Sequence, residues 1–330
     1  MGADRGSCRK EGCPTTTQTD QPKRVGRIAG GSCYVCGSPG APLHDGVLNW
    51  RTPDSVRYSF WRCQNTACGH AWLESASARA VDAYPANYYT HAPAPASLRA
   101  RSLARVKRSR LGHALGYVMY LRGMVPGSVL EVGCGSGSCL AELRDLGWEV
   151  HGVEPVADAA AVAREHYRVP VVVGTLDEAT FAPKSFDAVV MTHVIEHVPD
   201  PLPLLRACRT LLRPGGKLVV TCPNVDAYGH KKYGMYWIAL DPPRHEHVFT
   251  RMSLVALARA AGFSSVDART SVRGALGNFA GSEQVRALGH RLGRAGVGVR
   301  VKGLLLTVYE LTRLTRDPLA GEEVAVVCSA

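Results

Sequence analysis

Three groups of residues in this 330-residue chain have the types and spacing that chemistry needs. The first is a cysteine quartet, Cys33-Tyr-Val-Cys36-Gly and Cys63-Gln-Asn-Thr-Ala-Cys68-Gly, two short loops with 26 residues between them. Loops of this kind can bring four thiolates into a tetrahedron around zinc, with the glycines allowing the sharp turns. Such a closed site leaves no open coordination position, so the metal is structural; the alternative is a set of unrelated buried thiols. The second group is a glycine loop, Gly133-Cys134-Gly135-Ser136-Gly137, set between an apolar run and a helical stretch, with Glu154 placed 21 residues after Gly133. Glycine lets backbone approach a ligand closely, and an acid about 20 residues further on is where a dinucleotide fold holds ribose hydroxyls. The third is a set of histidines, His193-Val-Ile-Glu196-His197 and Arg244-His245-Glu246-His247, which could move protons near neutral pH.

The elements that must position these groups alternate. Short β-rich runs occur at 129–132, 149–153, 171–173, 188–191, 218–221, 265–268 and 324–327, with amphipathic stretches between the earlier ones. That is the signature of a parallel sheet wrapped by helices. Asp200-Pro201 reads as a helix N-cap with proline in the first turn, and Pro214-Gly215-Gly216 as the stop of that helix. The string His193-x-x-Glu196-His197 also matches a zinc-protease motif, but that motif works only on a helix, and here it leaves a strand and runs into Pro199 and Pro201. Residues 272–316 interrupt the rhythm with helical pattern and 8 Lys/Arg against 2 Asp/Glu, and read as a helical cap inserted before the last strand.

The remaining organisation follows from composition. Residues 1–29 read as a flexible tail in which Cys8 and Cys13 are incidental, 30–78 as the zinc ribbon, 79–124 as a Pro-broken linker and basic helical segment, and 125–330 as the α/β domain. The net charge of +11 is concentrated at the front, where residues 1–124 hold 17 Lys/Arg against 7 Asp/Glu. The densest stretch runs from Arg99 to Arg110 and suits nucleic acid, anionic lipid or a phosphorylated substrate, or is a solvated helix face. Eleven cysteines with no secretory leader argue for metal or burial over disulfides. No apolar run is long enough to span a membrane, and a cytoplasmic protein is expected.

The loop differs from the nicotinamide fingerprint G-x-G-x-x-G, because Ser138 stands at the third glycine position and Gly137 comes one residue early. In that form it resembles motif I, E/D-x-G-x-G-x-G, of the class I S-adenosylmethionine-dependent methyltransferases. The resemblance continues in order through GVEP, SFDAVVMTHVIEHVPDP and LLRPGGKLVVTCPN, covers about residues 126–270, and includes GEEVAVVCSA as a seventh strand. It implies a Rossmann-like seven-stranded methyltransferase sheet and S-adenosylmethionine as cofactor. It places Glu131 near the methionine amine, Gly133, Cys134 and Gly135 along the methionine and ribose, and Glu154 with Pro155 at the ribose diol. Thr175 and Leu176 fall against adenine, where many relatives carry Asp, and His193 falls beside the methionine moiety. His197 would face the substrate or cap the next helix. The stretch from Asp241 to Thr250 resembles the R-H-x-H-x-F-[ST] segment of zinc-ribbon relatives, which borders the substrate and makes His245 the favoured general base, with His197 second.

The resulting expectation is methyl transfer to a small molecule, a natural-product or sugar hydroxyl, with Tyr88, Tyr89 and His91 as a lid over the cofactor or a packed linker. The alternative is an RNA base methyltransferase that grips nucleic acid with the ribbon and the basic helix. A scaffold that binds the cofactor without turnover is a third reading. The acceptor atom and the oligomeric state are not encoded in any motif.

Overall fold

The long apolar runs become the centre of one sheet. A computed structural model of the chain describes residues 31–51, 56–74, 120–121, 123–290 and 295–330. The expected tail, Tyr88, Tyr89, His91 and the Arg99 to Arg110 run lie outside the described residues, as does most of the expected linker.

Strands β1 (Gly40–Leu48), β2 (Arg57–Cys63) and β3 (Ala71–Leu73) come first, and pair antiparallel in that order. The α/β part then runs β4 (Ser128–Val132), α1 (Ser138–Arg144), β5 (Glu149–Glu154), α2 (Ala157–Glu165), β6 (Val171–Val173), β7 (Phe186–Thr192), α3 (Pro201–Leu211), β8 (Leu212–Pro223) and α4 (Tyr228–Tyr233). It continues through β9 (His247–Val248), α5 (Arg251–Ala260), β10 (Ser265–Ser271), α6 (Ala275–Leu288), α7 (Val297–Leu314) and β11 (Glu323–Ser329). The large sheet has seven strands in the order β10-β11-β8-β7-β4-β5-β6, parallel except for β11, which pairs antiparallel with both neighbours. This is the Rossmann-like seven-stranded sheet that the motif resemblance implies. The order reverses at β4, so the crevice for a ligand lies beyond the carboxyl ends of β4, β5 and β7.

Alternation along the central strands divides the core between the two faces. Leu130, Val189, Met191, Leu218 and Val220 pack toward α3 and α5, while Val129, Ala188, Val190 and Val219 pack toward α1 and α2. Glu131 has the same parity as Val129, so a carboxylate interrupts the second apolar face.

The ribbon does not stand apart. β9, drawn from the Arg244 to Phe249 stretch, adds a fourth antiparallel strand to the β1-β2-β3 sheet, with Ala71 opposite Val248 and Trp72 opposite His247. A joint core follows, in which Val47, Phe60, Ala71 and Leu73 of the ribbon pack with Val225, Trp237, Val248 and Phe279.

Two local expectations are revised. The helix α3 ends at Leu211, ahead of Pro214-Gly215-Gly216, because Leu212 is already extended and pairs with Phe186. Asp200 occupies its N-cap position but its side chain makes no capping bond, because it accepts the Tyr34 hydroxyl of the ribbon; that hydroxyl in turn accepts the backbone N–H of Leu202 at 3.2 Å.

Candidate active site

The glycine loop is shaped by contacts that exclude side chains. Gly133, Gly135 and Gly137 have φ of 67°, 53° and 80°, the left-handed region that favours glycine. A Cβ on Gly133 would lie 2.5 Å from Val194 Cγ2, and one on Gly137 would lie 2.7 Å from Ala163 Cβ. The N–H groups of Gly133 and Cys134 both donate to the Val153 carbonyl, at 2.8 and 3.2 Å, which ties the loop to β5. The Cys134 side chain is buried and packs toward Gly152, so its backbone faces the ligand side.

Two buried carboxylates meet at this loop. Glu154, 6% exposed, accepts Gly135 N–H at 2.8 Å on one oxygen and Val156 N–H at 2.9 Å on the other, with Pro155 exposed between. Burial raises its pKa, an effect these two amides oppose. Glu131, 3% exposed, has an Oε2 with no partner, and burial, with the Glu154 charge adding to it, raises its pKa to about 8. A carboxylate in that setting favours a cation at close range. The loop therefore offers one buried acceptor, Glu131 Oε2, that a cationic donor could meet.

The other residues expected at the cofactor divide. Thr175 is exposed after β6, with its N–H donated to Glu178 at 2.8 Å. Leu176 is buried as part of the core cluster that also holds Leu130 and Val132. His193 sits at φ 53° just past β7, with Nδ1 3.1 Å from Glu196 and Nε2 3.2 Å from Glu323. Burial works to lower its pKa, but the two carboxylates outweigh that and hold it well above the ordinary value. It is an imidazolium clamped between two acids, with its side chain 40% exposed.

His197 and His245 come together, although 48 positions separate them in the chain. Their rings meet edge to face with centroids 4.6 Å apart. His197 Nδ1 lies 2.8 Å from the Arg244 carbonyl, and His245 Nδ1 lies 2.8 Å from the Ala239 carbonyl. A carbonyl can only accept, so each Nδ1 carries the proton and each Nε2 carries the lone pair. Burial lowers both pKa values to about 4, for His197 with the His245 charge adding to it. Both rings are neutral and basic in form at pH 7. His197 lies in a short 3-10 turn, Ile195–His197, and not in an α-helix, which removes the geometry of the protease motif. It does not cap α3, a task that falls to Tyr34.

A buried ionic frame, assembled from segments far apart in the chain, holds the stretch that carries His245. Asp241, at φ 37° and 2% exposed, receives Arg244 Nη2 at 2.6 Å and Nε at 3.1 Å, and Arg51 Nε at 3.2 Å. Burial alone would raise the Asp241 pKa, but the Arg51 and Arg244 guanidiniums hold it well below the usual carboxylate range. Arg244 is fully buried and also donates to Asn49 Oδ1 at 3.1 Å. Trp50 Nε1 donates to the Ile238 carbonyl at 2.9 Å. Three consecutive residues after β1, Asn49, Trp50 and Arg51, thus reach into the segment that carries His245. The only signal available in sequence was the density of charge in Asp241-Pro-Pro-Arg244.

The cysteine quartet also assembles. The four Sγ atoms of Cys33, Cys36, Cys63 and Cys68 lie within 4.8 Å of one another, with Cys33 to Cys68 at 3.7 Å and Cys36 to Cys63 at 3.4 Å. A tetrahedron with Zn–S of about 2.3 Å has S···S edges of about 3.8 Å, while a disulfide needs about 2.05 Å. The donor set fits zinc. Its loops touch the α/β domain directly, since Thr250 Oγ1 donates to the Cys68 carbonyl at 2.5 Å and Arg62 pairs with Asp226 at 2.5 Å.

Comparison with known proteins places the chain among enzymes of one kind. A family model described as a methyltransferase domain matches residues 99–268. Ubiquinone biosynthesis O-methyltransferase from Paraburkholderia phymatum is 32% identical over 151 residues, 42% of this chain and 65% of that protein. The protein of the same description from Xanthomonas campestris pv. campestris is 38% identical over 138 residues, 38% of this chain and 56% of that protein. The chain therefore spans less than two thirds of the length of these two curated relatives. Among solved structures, a SAM-dependent methyltransferase from Archaeoglobus fulgidus aligns with 21% identity over 70% of this chain and 94% of that one, at a TM-score of 0.46.

Proposed function

We propose, from the premise that the chain belongs to the methyltransferase-domain family, that it moves a methyl group from S-adenosylmethionine to a hydroxyl of a small molecule. The observation that carries this reading is Glu131, a buried carboxylate with an unpartnered oxygen beside a glycine loop. Such a group is costly to leave unpaired, and the α-ammonium of a methionine moiety answers it. Glu154 would receive the ribose diol while keeping its two loop amides, and Gly133, Cys134 and Gly135 would line the methionine with backbone. Thr175 and the open side of Leu176 would border adenine, and His193 would stand beside the methionine. The cofactor, when bound, supplies an electrophilic methyl on a sulfonium.

The acceptor side rests on His245 and His197. A hydroxyl becomes a competent nucleophile when a positioned base takes its proton; both imidazoles carry an Nε2 lone pair at pH 7, and with pKa values of about 4 in the free protein they are weak bases whose contribution would rest on position. The carbonyls of Ala239 and Arg244 fix both tautomers, and Asp241 with Arg244, Arg51 and Asn49 fixes the segment that carries His245. The choice of a hydroxyl follows the two relatives named as O-methyltransferases. The same reading assigns one structural zinc to Cys33, Cys36, Cys63 and Cys68, with the ribbon serving to position the acceptor face.

The test is direct. Pure protein is titrated with S-adenosylhomocysteine in a calorimeter, then incubated with S-adenosylmethionine and fractionated extract, and mass spectrometry searches for a product one methylene heavier. Saturable binding and a methylated hydroxyl are expected. No binding to S-adenosylhomocysteine overturns the cofactor assignment, and a product methylated on nitrogen or carbon overturns the acceptor.

A further inference from the structure

Helix α7 is packed along one narrow strip and turns a continuous apolar surface outward. Gly303 and Glu310 are buried, whereas Val297, Val301, Leu304, Leu305, Val308 and Leu311 are 50–78% exposed. Steps of four and three residues put these side chains on one stripe of the helix. At ~100° per residue, the stripe is bordered by Arg300 on one edge and by Lys302 and Arg313 on the other. The one acid of the helix, Glu310, faces the interior, where burial, with Glu322 adding to it, pushes its carboxyl up to about 9 and leaves it uncharged at neutral pH. Lys302 pairs with Glu283 at 2.9 Å and Arg313 with Asp317 at 3.8 Å, but Arg286 shares the Glu283 carboxylate at 2.7 Å, so with Arg300 the rim keeps a net positive charge.

A stripe this long on a folded surface marks a site of contact. A second copy seated stripe to stripe would bring cationic edges against cationic edges. An anionic lipid surface meets both features at once: apolar side chains enter the acyl boundary and flanking cations reach headgroup phosphates. No helix among the described residues is long and apolar enough to cross a membrane, so the contact lies in the plane of the interface. The cap leaves the sheet from the carboxyl end of β10 and returns at the start of β11, next to Glu323.

We propose that α7 docks the protein on an anionic bilayer, with Val301, Leu305 and Val308 in the acyl boundary and Arg300, Lys302 and Arg313 at the phosphates. This assignment is independent of the methyl-transfer reading.

Sedimentation of the full-length protein with phosphatidylcholine vesicles carrying about 30% phosphatidylglycerol tests it, alongside vesicles of phosphatidylcholine alone. Partitioning onto the anionic vesicles is expected, falling at least about tenfold in the Leu305→Asp, Val308→Asp double variant and at high salt. Arg300→Gln should lower it by a smaller factor. Unchanged circular dichroism shows that the variants, altered only at exposed positions, remain folded. The proposal is overturned if the wild-type protein stays in the supernatant, if it partitions equally onto uncharged vesicles, or if the double variant binds as well as the parent. It is also overturned if ultracentrifugation shows a dimer that the double variant dissociates without any vesicle binding, since a second copy would then cover the stripe.

Discussion

The loop that would hold the cofactor and the face that would meet the acceptor are built in opposite ways. In the first, the defining side-chain contact joins residues 19 positions apart, Gly135 and Glu154, and the loop with both its acids comes from one strand-helix-strand passage. In the second, Arg244 is held by Asp241 nearby and also by Asn49, 195 positions away, and the sheet that carries His247 begins in the ribbon. A local cradle can form from its own turn geometry. The acceptor face exists only when two distant parts of the chain have docked, so the two halves should fail separately.

The largest effect should come from the ribbon. Removing zinc with a chelator, or making Cys63→Ser, should unfold the cysteine end of the β1-β2-β3 sheet, because the cysteine loops pack with little more than Val35 and Trp72. Turnover should fall to background while S-adenosylhomocysteine affinity stays within about threefold, since the cradle does not depend on β9. Metal analysis, calorimetry and a methyl-transfer assay on the same sample check this. Equal loss of both functions would show that the halves are one cooperative unit, and protein without zinc that works normally would end the metal assignment.

Next in size are the two histidines. His245→Ala should lower kcat by roughly 10²- to 10⁴-fold with cofactor affinity nearly intact, as loss of a general base does. His197→Ala separates the roles: a similar kcat loss makes the pair act together, whereas lost cofactor binding moves His197 to the cradle. Near wild-type turnover in both variants would leave proximity alone as the source of rate. The same residues give a pH dependence. Their folded pKa values of about 4 lie below the ordinary 6.5, so the unfolded chain binds more protons between those limits. Stability should therefore be complete above pH 6.5 and decline as pH falls toward about 4, and the decline should be shallower in the double alanine variant.

A smaller effect belongs to Glu154. Glu154→Ala should weaken S-adenosylhomocysteine by about tenfold or somewhat more, the loss of charge-assisted bonds worth about 1.5 to 3 kcal/mol. An unchanged dissociation constant would remove Glu154 from the ribose. The smallest signal is a proton. With its pKa raised to about 8, Glu131 is mostly protonated at pH 7 in the free protein, and an arriving ammonium should ionise it. Binding should release close to one proton at pH 7, read as a dependence of calorimetric heat on buffer ionisation enthalpy, and Glu131→Gln should abolish it. Heats that are the same in every buffer would place the ammonium elsewhere.

The same division decides what could be read from the sequence. All seven strands of the large sheet were legible, because buried parallel strands read as apolar runs and the β8, β10 and β11 patterns are equally plain. The glycine loop, Glu154 and the four cysteines stand out as candidates because their spacing is short and their residue types are specific, and Glu131 does so only through the resemblance to motif I. The two-residue strand β9 was not, since nothing in His247-Val248 names Ala71 and Trp72 as partners. Tyr34 in place of Asp200 as the cap of α3 was hidden for the same reason, as were the carboxylates on His193 and the Asn49, Arg51 and Asp241 frame around Arg244. Leu176, which the resemblance sets against adenine, is also a member of the buried core cluster, a packing role that no motif announces.

β9 also defines what can be exchanged between relatives. A chimaera that transplants the cysteine-bearing segment alone would leave β3 with an unpaired edge and Arg244 without Asn49, a buried guanidinium stripped of one of its acceptors. The heritable unit is therefore discontinuous: residues 31–74 together with 241–250, which lie apart in the gene and must vary in concert. Recombination breakpoints placed between them should yield insoluble protein, whereas breakpoints that move both pieces should graft one parent's acceptor preference onto the other parent's cofactor cradle.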